Sequence, residues 1–172
     1  MPDIKAQDAE NEAKIPIQMA IPPSTKLNLR STQLSFSLYK MENGKKVLEP
    51  STIDSVWLNY SSITERNKSN TIYADITSAD IPAEIGIKLV VRKDAGKGNG
   101  QVGNPTEPII LSEYPQPVIT NIGSCYTGQG DHKGHLLLFS WVFMPGYNKD
   151  FSNFENLSNL SVQVIYTINS DE

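Results

Sequence analysis

Leu160-Ser161-Val162-Gln163-Val164-Ile165-Tyr166-Thr167-Ile168 carries an apolar side chain at every second position, from Leu160 through Ile168. Side chains on an extended strand alternate between faces, so a period of two marks a strand with one face buried. The same rhythm recurs upstream. His135 to Phe143 sets Phe139, Trp141 and Phe143 on one face, and Ile85, Ile87, Leu89 and Val91 alternate without a break. Further strands are expected from Ile53 to Tyr60, from Thr71 to Thr77 (through Ile72, Ala74 and Ile76), at Ile109 to Leu111 and at Val118 to Ile122. Leu27, Leu29, Leu34, Phe36 and Leu38 read as one long strand bent near Arg30-Ser31. No window of ten residues holds a helical period. About nine short strands, separated by Gly, Pro, Asn and Asp turn signals, predict an all-β antiparallel β-sandwich.

The chain starts differently. Residues 1–14 carry Asp3, Asp8, Glu10 and Glu12 among alanines with no apolar face, and read as a flexible acidic arm. The sandwich domain is assigned to residues 15–172. Its first strand alternates Ile15, Ile17, Met19 and Ile21, and Pro16, which has no N–H, confines it to an edge. Pro22-Pro23 ends it. Those four apolar residues are the candidate assembly strand. They pack on the chain's own core or fill the groove of a neighbouring copy.

Composition narrows the function. A formal charge of −4 and a pI near 5.2 argue against a nucleic-acid partner, which selects a basic face for phosphate contacts. The run Leu136-Leu137-Leu138-Phe139 is interrupted at Ser140, far short of the roughly 20 apolar residues of a membrane helix. No membrane insertion is expected. With one cysteine, Cys125, no intramolecular disulfide exists, and the residue reads as a small buried apolar group.

Three motifs invite chemical readings. Gly96-Lys97-Gly98-Asn99-Gly100-Gln101-Val102-Gly103 superficially suggests a phosphate loop. Its lysine, however, is not followed by Ser or Thr, and Asn104-Pro105 follows where a helix is required. It reads as a flexible inter-strand loop. Cys125, Asp131, His132 and His135 fall within eleven residues but lack the paired spacing of a structural zinc site. His132 and His135 would also point to opposite faces of an extended chain. No Gly-x-Ser-x-Gly elbow is present, and the acids in an apolar setting, Asp75 between Ala74 and Ile76 and Asp54 beside Ile53, read as outward-facing strand residues. Neither catalytic residues, metal ligands nor a cofactor is therefore assigned, and the chain is read as a non-enzyme. Trp57 and Trp141 lie on strands, where tryptophan ordinarily belongs to the core; stacking on a sugar is the alternative.

Ile21-Pro22-Pro23 with Leu27 and Leu29, Trp57-Leu58-Asn59-Tyr60, Ile81-Pro82-Ala83 leading to Ile87-Lys88-Leu89, and Ile119-Thr120-Asn121-Ile122-Gly123-Ser124-Cys125-Tyr126-Thr127-Gly128 occur in one order. The series runs on through Gly134-His135 to Val162-Gln163-Val164-Ile165-Tyr166-Thr167-Ile168. Together these segments resemble a family of small secreted Gram-negative bacterial proteins with an immunoglobulin-like, fimbrial-subunit-like build. The resemblance implies export, with any signal peptide missing from this sequence, and a place on the bacterial cell surface. It implies a structural or adhesin-like subunit of a surface fibre, pairing edge strands with copies of itself or other surface subunits, with a periplasmic assembly factor or a host or environmental glycan as further partners. The other expectation is an extracellular carbohydrate-binding module. Its candidate ligand loops carry Tyr126, His132 and Tyr147, with Phe151 and Phe154 nearby.

Overall fold

The computed structural model describes residues 20–29, 33–77, 81–146 and 160–171. Twelve strands appear, all in antiparallel pairings: β1 (Ser24–Leu29), β2 (Gln33–Phe36), β3 (Tyr39–Glu42), β4 (Lys45–Leu48), β5 (Thr52–Ile63), β6 (Asn70–Ile76), β7 (Ile85–Val91), β8 (Asn99–Pro105), β9 (Ile109–Ile110), β10 (Gln116–Tyr126), β11 (His135–Phe143) and β12 (Leu160–Ser170). There is no helix among the described residues, hence none long and apolar enough to cross a membrane. The all-β antiparallel expectation holds.

Ten strands form one hydrogen-bonded sheet, a path of eight with β1 and β8 branching from β5 and β10, that folds into two layers. One layer runs β2-β12-β6-β10-β8, and the other runs β9-β7-β11-β5-β1. They join where β10 crosses to β5, through only Cys125↔Ser62 and Tyr126↔Ser61. Inward-facing residues of both layers make one core. Leu34, Phe36, Ile72, Val118, Ile122, Val162 and Val164 meet Val56, Leu58, Ile87, Leu89, Leu137, Phe139 and Trp141. Burial of each large side chain contributes about 1.5–3 kcal/mol, which explains why the alternating runs dominate the fold. Trp141 is completely buried and meets Phe143 edge-on at 5.2 Å.

Three features depart from the sequence reading. The bent strand through Leu27 and Leu38 is two strands, because β1 pairs with β5 while β2 pairs with β12 in the other layer. The turn expected at Glu42-Asn43-Gly44-Lys45 is present, with positive φ of 50° at Asn43 and 76° at Gly44, but the residues on either side of it form a separate β3-β4 hairpin that was not expected. The expected flexible glycine loop contains a strand, β8, hydrogen-bonded along β10 from Tyr126 back to Ile119. The glycines serve close approach rather than flexibility. A Cβ at Gly100 would lie 2.3 Å from the Ser124 carbonyl oxygen, and one at Gly103 would lie 2.7 Å from that of Thr120. Both residues hold positive φ. These changes add four strands to the expected nine, and with the expected Ile15–Ile21 strand outside the described residues the described count is twelve. Of the candidate assembly strand, Ile15, Ile17 and Met19 lie outside the described residues, as does the acidic arm. Ile21 is described, outside any strand and 66% exposed.

Candidate functional site

Two surface features and one buried network stand out. The first surface feature lies on the outer face of β5. Alternation turns Val56, Leu58 and Tyr60 inward, which leaves Trp57, Asn59 and Ser61 facing out. In register beside them, β1 sets Asn28 opposite Asn59 and Lys26 opposite Ser61. The connection from Thr127 to Gly134 fills the gap between β10 and β11 along one edge of β5 and folds over this face. Asn59 pins it: its Nδ2 donates to the Lys133 carbonyl at 2.6 Å, and its Oδ1 accepts from the Gly130 N–H at 2.7 Å. Thr127 anchors the other end. Its Oγ1 accepts from the Tyr60 N–H at 2.9 Å and lies 3.1 Å from the Tyr60 carbonyl. Gly134 passes so near β5 that a Cβ there would be 2.1 Å from the Leu58 carbonyl oxygen.

Two adjoining depressions follow from this arrangement. One, of about 60 Å³, is bordered by Lys26, Asn28, Ser61, Tyr126 and Gln129. The other, of about 210 Å³, is bordered by Asn28, Leu29, Trp57, Gly130 and Asp131. Asn28 and Asn59 line both. Tyr126 is 52% exposed at one end, and at the other the His132 ring rests on Trp57 at 5.5 Å. The fold thus brings Tyr126 and His132 to the same surface. Tyr147 lies outside the described residues. Trp57, expected in the core, is half-buried on the outer face. Its place was legible in strand alternation, since it shares parity with Asn59 and Ser61. Lys26, Asn28 and Gln129 carried no local signal, because their nearness to Tyr126 depends on strand pairing.

The second feature is an apolar groove of about 360 Å³ at the β7–β9 edge. It is lined chiefly by Ile76, Ile81, Ile85, Ile110, Leu111 and Met144, with Tyr114, 79% exposed, at its rim. The edge is thin, because β9 pairs with β7 through only Lys88↔Ile110 and Leu89↔Ile109.

Under the connection, His135 is completely buried and stacks parallel to Tyr60 at 5.8 Å. Its Nδ1 faces the Arg92 carbonyl at 2.9 Å, so Nδ1 carries hydrogen and donates. Its Nε2 lies 3.0 Å from the Tyr60 hydroxyl, which also contacts the Val102 carbonyl of β8. This ties β5, β8 and β11 together. Burial raises the Tyr60 hydroxyl far above the ordinary tyrosine range, with the Cys125 and Asp94 charges adding to it. Half-buried rather than fully buried, the Cys125 thiol is pushed up to about 11, mainly by burial. His132, by contrast, is exposed, with a positive φ of 62° in the turn. Among the described residues, no three of His, Cys, Asp and Glu converge as metal ligands.

The sequence matches no protein-family model and no curated protein, and the fold matches no solved structure, so function is read from these surfaces alone.

Proposed function

We propose that this chain is a non-enzymatic structural subunit of a bacterial surface fibre, exported and assembled by lending an apolar strand to a neighbouring copy. The observation that carries this reading is the apolar groove at the β7–β9 edge, considered together with the alternating segment Ile15, Ile17, Met19 and Ile21. A groove rimmed by isoleucines beside a two-residue edge strand suits an added strand, whose main chain pairs with the edge while alternate side chains fill the groove. Four such side chains contribute roughly 6–12 kcal/mol when fully buried, at about 1.5–3 kcal/mol each. Association costs about 4–15 kcal/mol, so the surplus is small enough for strand exchange during assembly. The partners are copies of this chain or other surface subunits, with a periplasmic factor shielding the groove before assembly.

Light scattering on the intact protein and on a form lacking residues 1–21 tests this. The intact chain should form oligomers whose size grows with concentration, and the truncated form should stay monomeric and bind a peptide of residues 14–21. Ile110→Glu, in the groove, should abolish both. An intact protein that stays monomeric at high concentration, with a truncated form indifferent to the peptide, refutes the proposal.

A further inference from the structure

We infer that the outer face of β1 and β5, alongside the Thr127–Gly134 connection, is a binding site for a short, neutral, unbranched oligosaccharide, independent of fibre assembly. The two depressions sharing Asn28 and Asn59 form one trough with an aromatic group at each end. Tyr126 pairs with Ser61, and Trp57 lies four residues along the same strand. Four residues at about 3.3 Å each separate the ends by roughly 13 Å. That length accommodates more than one sugar ring and exceeds what a single small metabolite needs.

The chemistry between the ends selects the ligand class. Sugar rings present C–H faces that pack on aromatic rings, and rims of hydroxyls that seek donors and acceptors together. Amides offer both: Asn28 lines both depressions, and Gln129 lines the one beside Tyr126. Charge is balanced along the trough, with Lys26 bordering the Tyr126 end and Asp131 the Trp57 end. An anionic chain would meet the aspartate and a cationic one the lysine, so a neutral chain fits best. The floor is preorganised: Asn59 is 4% exposed, and both ends of its amide are already bound to the connection. Holding a surface rigid before binding lowers the ordering cost of association.

The test uses the full chain and linear tetrasaccharides of glucose, xylose, mannose and N-acetylglucosamine, with sialyllactose and oligogalacturonate as acidic comparators. Calorimetry measures affinity, and tryptophan fluorescence supplies a second readout, since Trp57 borders the trough while Trp141 is buried away from it. At least one neutral tetrasaccharide should bind and perturb the fluorescence. Tyr126→Ala should weaken it about tenfold or more, and Asn28→Ala and Gln129→Ala severalfold each. These exposed positions allow the thermal midpoint to confirm that each variant remains folded. Absence of binding by every neutral tetrasaccharide at millimolar concentration overturns the inference. So does a preference for the acidic comparators, or binding unchanged by Tyr126→Ala. Oligomerisation of the truncated and intact forms is measured separately, so failure here is distinguishable from failure of the assembly proposal.

Discussion

Gly134→Ala tests the close approach that builds the candidate saccharide surface. Gly134 has a φ of +73°, and a Cβ there would meet the Leu58 carbonyl oxygen at 2.1 Å and Asn59 Nδ2 at 3.0 Å. An alanine in the left-handed region costs about 1–2 kcal/mol by itself. Relieving the clash requires the connection to lift from β5, which breaks the two Asn59 hydrogen bonds. Each contributes about 0.5–1.5 kcal/mol net, and more where a buried amide is left without partners. The expected loss is roughly 3–5 kcal/mol, large against a domain stability of about 5–15 kcal/mol. Gly130 is the matched control. Its φ is +95°, but nothing lies within 4 Å of a Cβ built there, so Gly130→Ala should lose only the backbone term of about 1–2 kcal/mol. For a chain of this length, each kcal/mol lowers the thermal midpoint by roughly 2–4 °C. Thermal and urea unfolding of both variants measure the difference. If Gly134→Ala is no more destabilised than Gly130→Ala, the connection is not pressed against β5 as described.

Trp141→Ala should destabilise by about 3–5 kcal/mol in urea unfolding, because a completely buried indole leaves a cavity between the layers. A loss under 1 kcal/mol would mean that the ring is not in the core. Alkaline pH should weaken the fold. The folded state holds the Cys125 proton up to about 11 against an ordinary 9.0, and holds the Tyr60 proton higher still, so the unfolded chain releases protons first. These groups should therefore add no pH dependence well below about pH 9 and a decline in stability above it. In the variant Cys125→Ala the decline should be shallower. Alkylation of Cys125 by iodoacetamide should be slow at pH 8, since the thiolate is the nucleophile. Reaction at pH 8 as fast as that of a free thiol would contradict the burial of this group.

Alternation by itself determined the strand content, since a period of two in the runs at Ile85, His135 and Leu160 marks half-buried strands. It also gave the inward turn of Trp141, whereas Trp57, expected in the core, turned outward once β5 took its place in the sheet. Local sequence could not determine β8, because glycine is written identically whether it frees a loop or clears space for a neighbouring backbone. Only the approach of β8 to β10 distinguishes the two uses. Likewise Tyr126 and His132 were legible as loop aromatics, but their union with Lys26, Asn28 and Trp57 was not. Those residues lie some 70 to 100 positions away along the chain. They meet because the antiparallel register of β1 on β5 sets Asn28 opposite Asn59, and because Asn59 hydrogen-bonds the connection across the same face. Pairing register and close approach are properties of contacts between distant segments, so tertiary structure alone decided them.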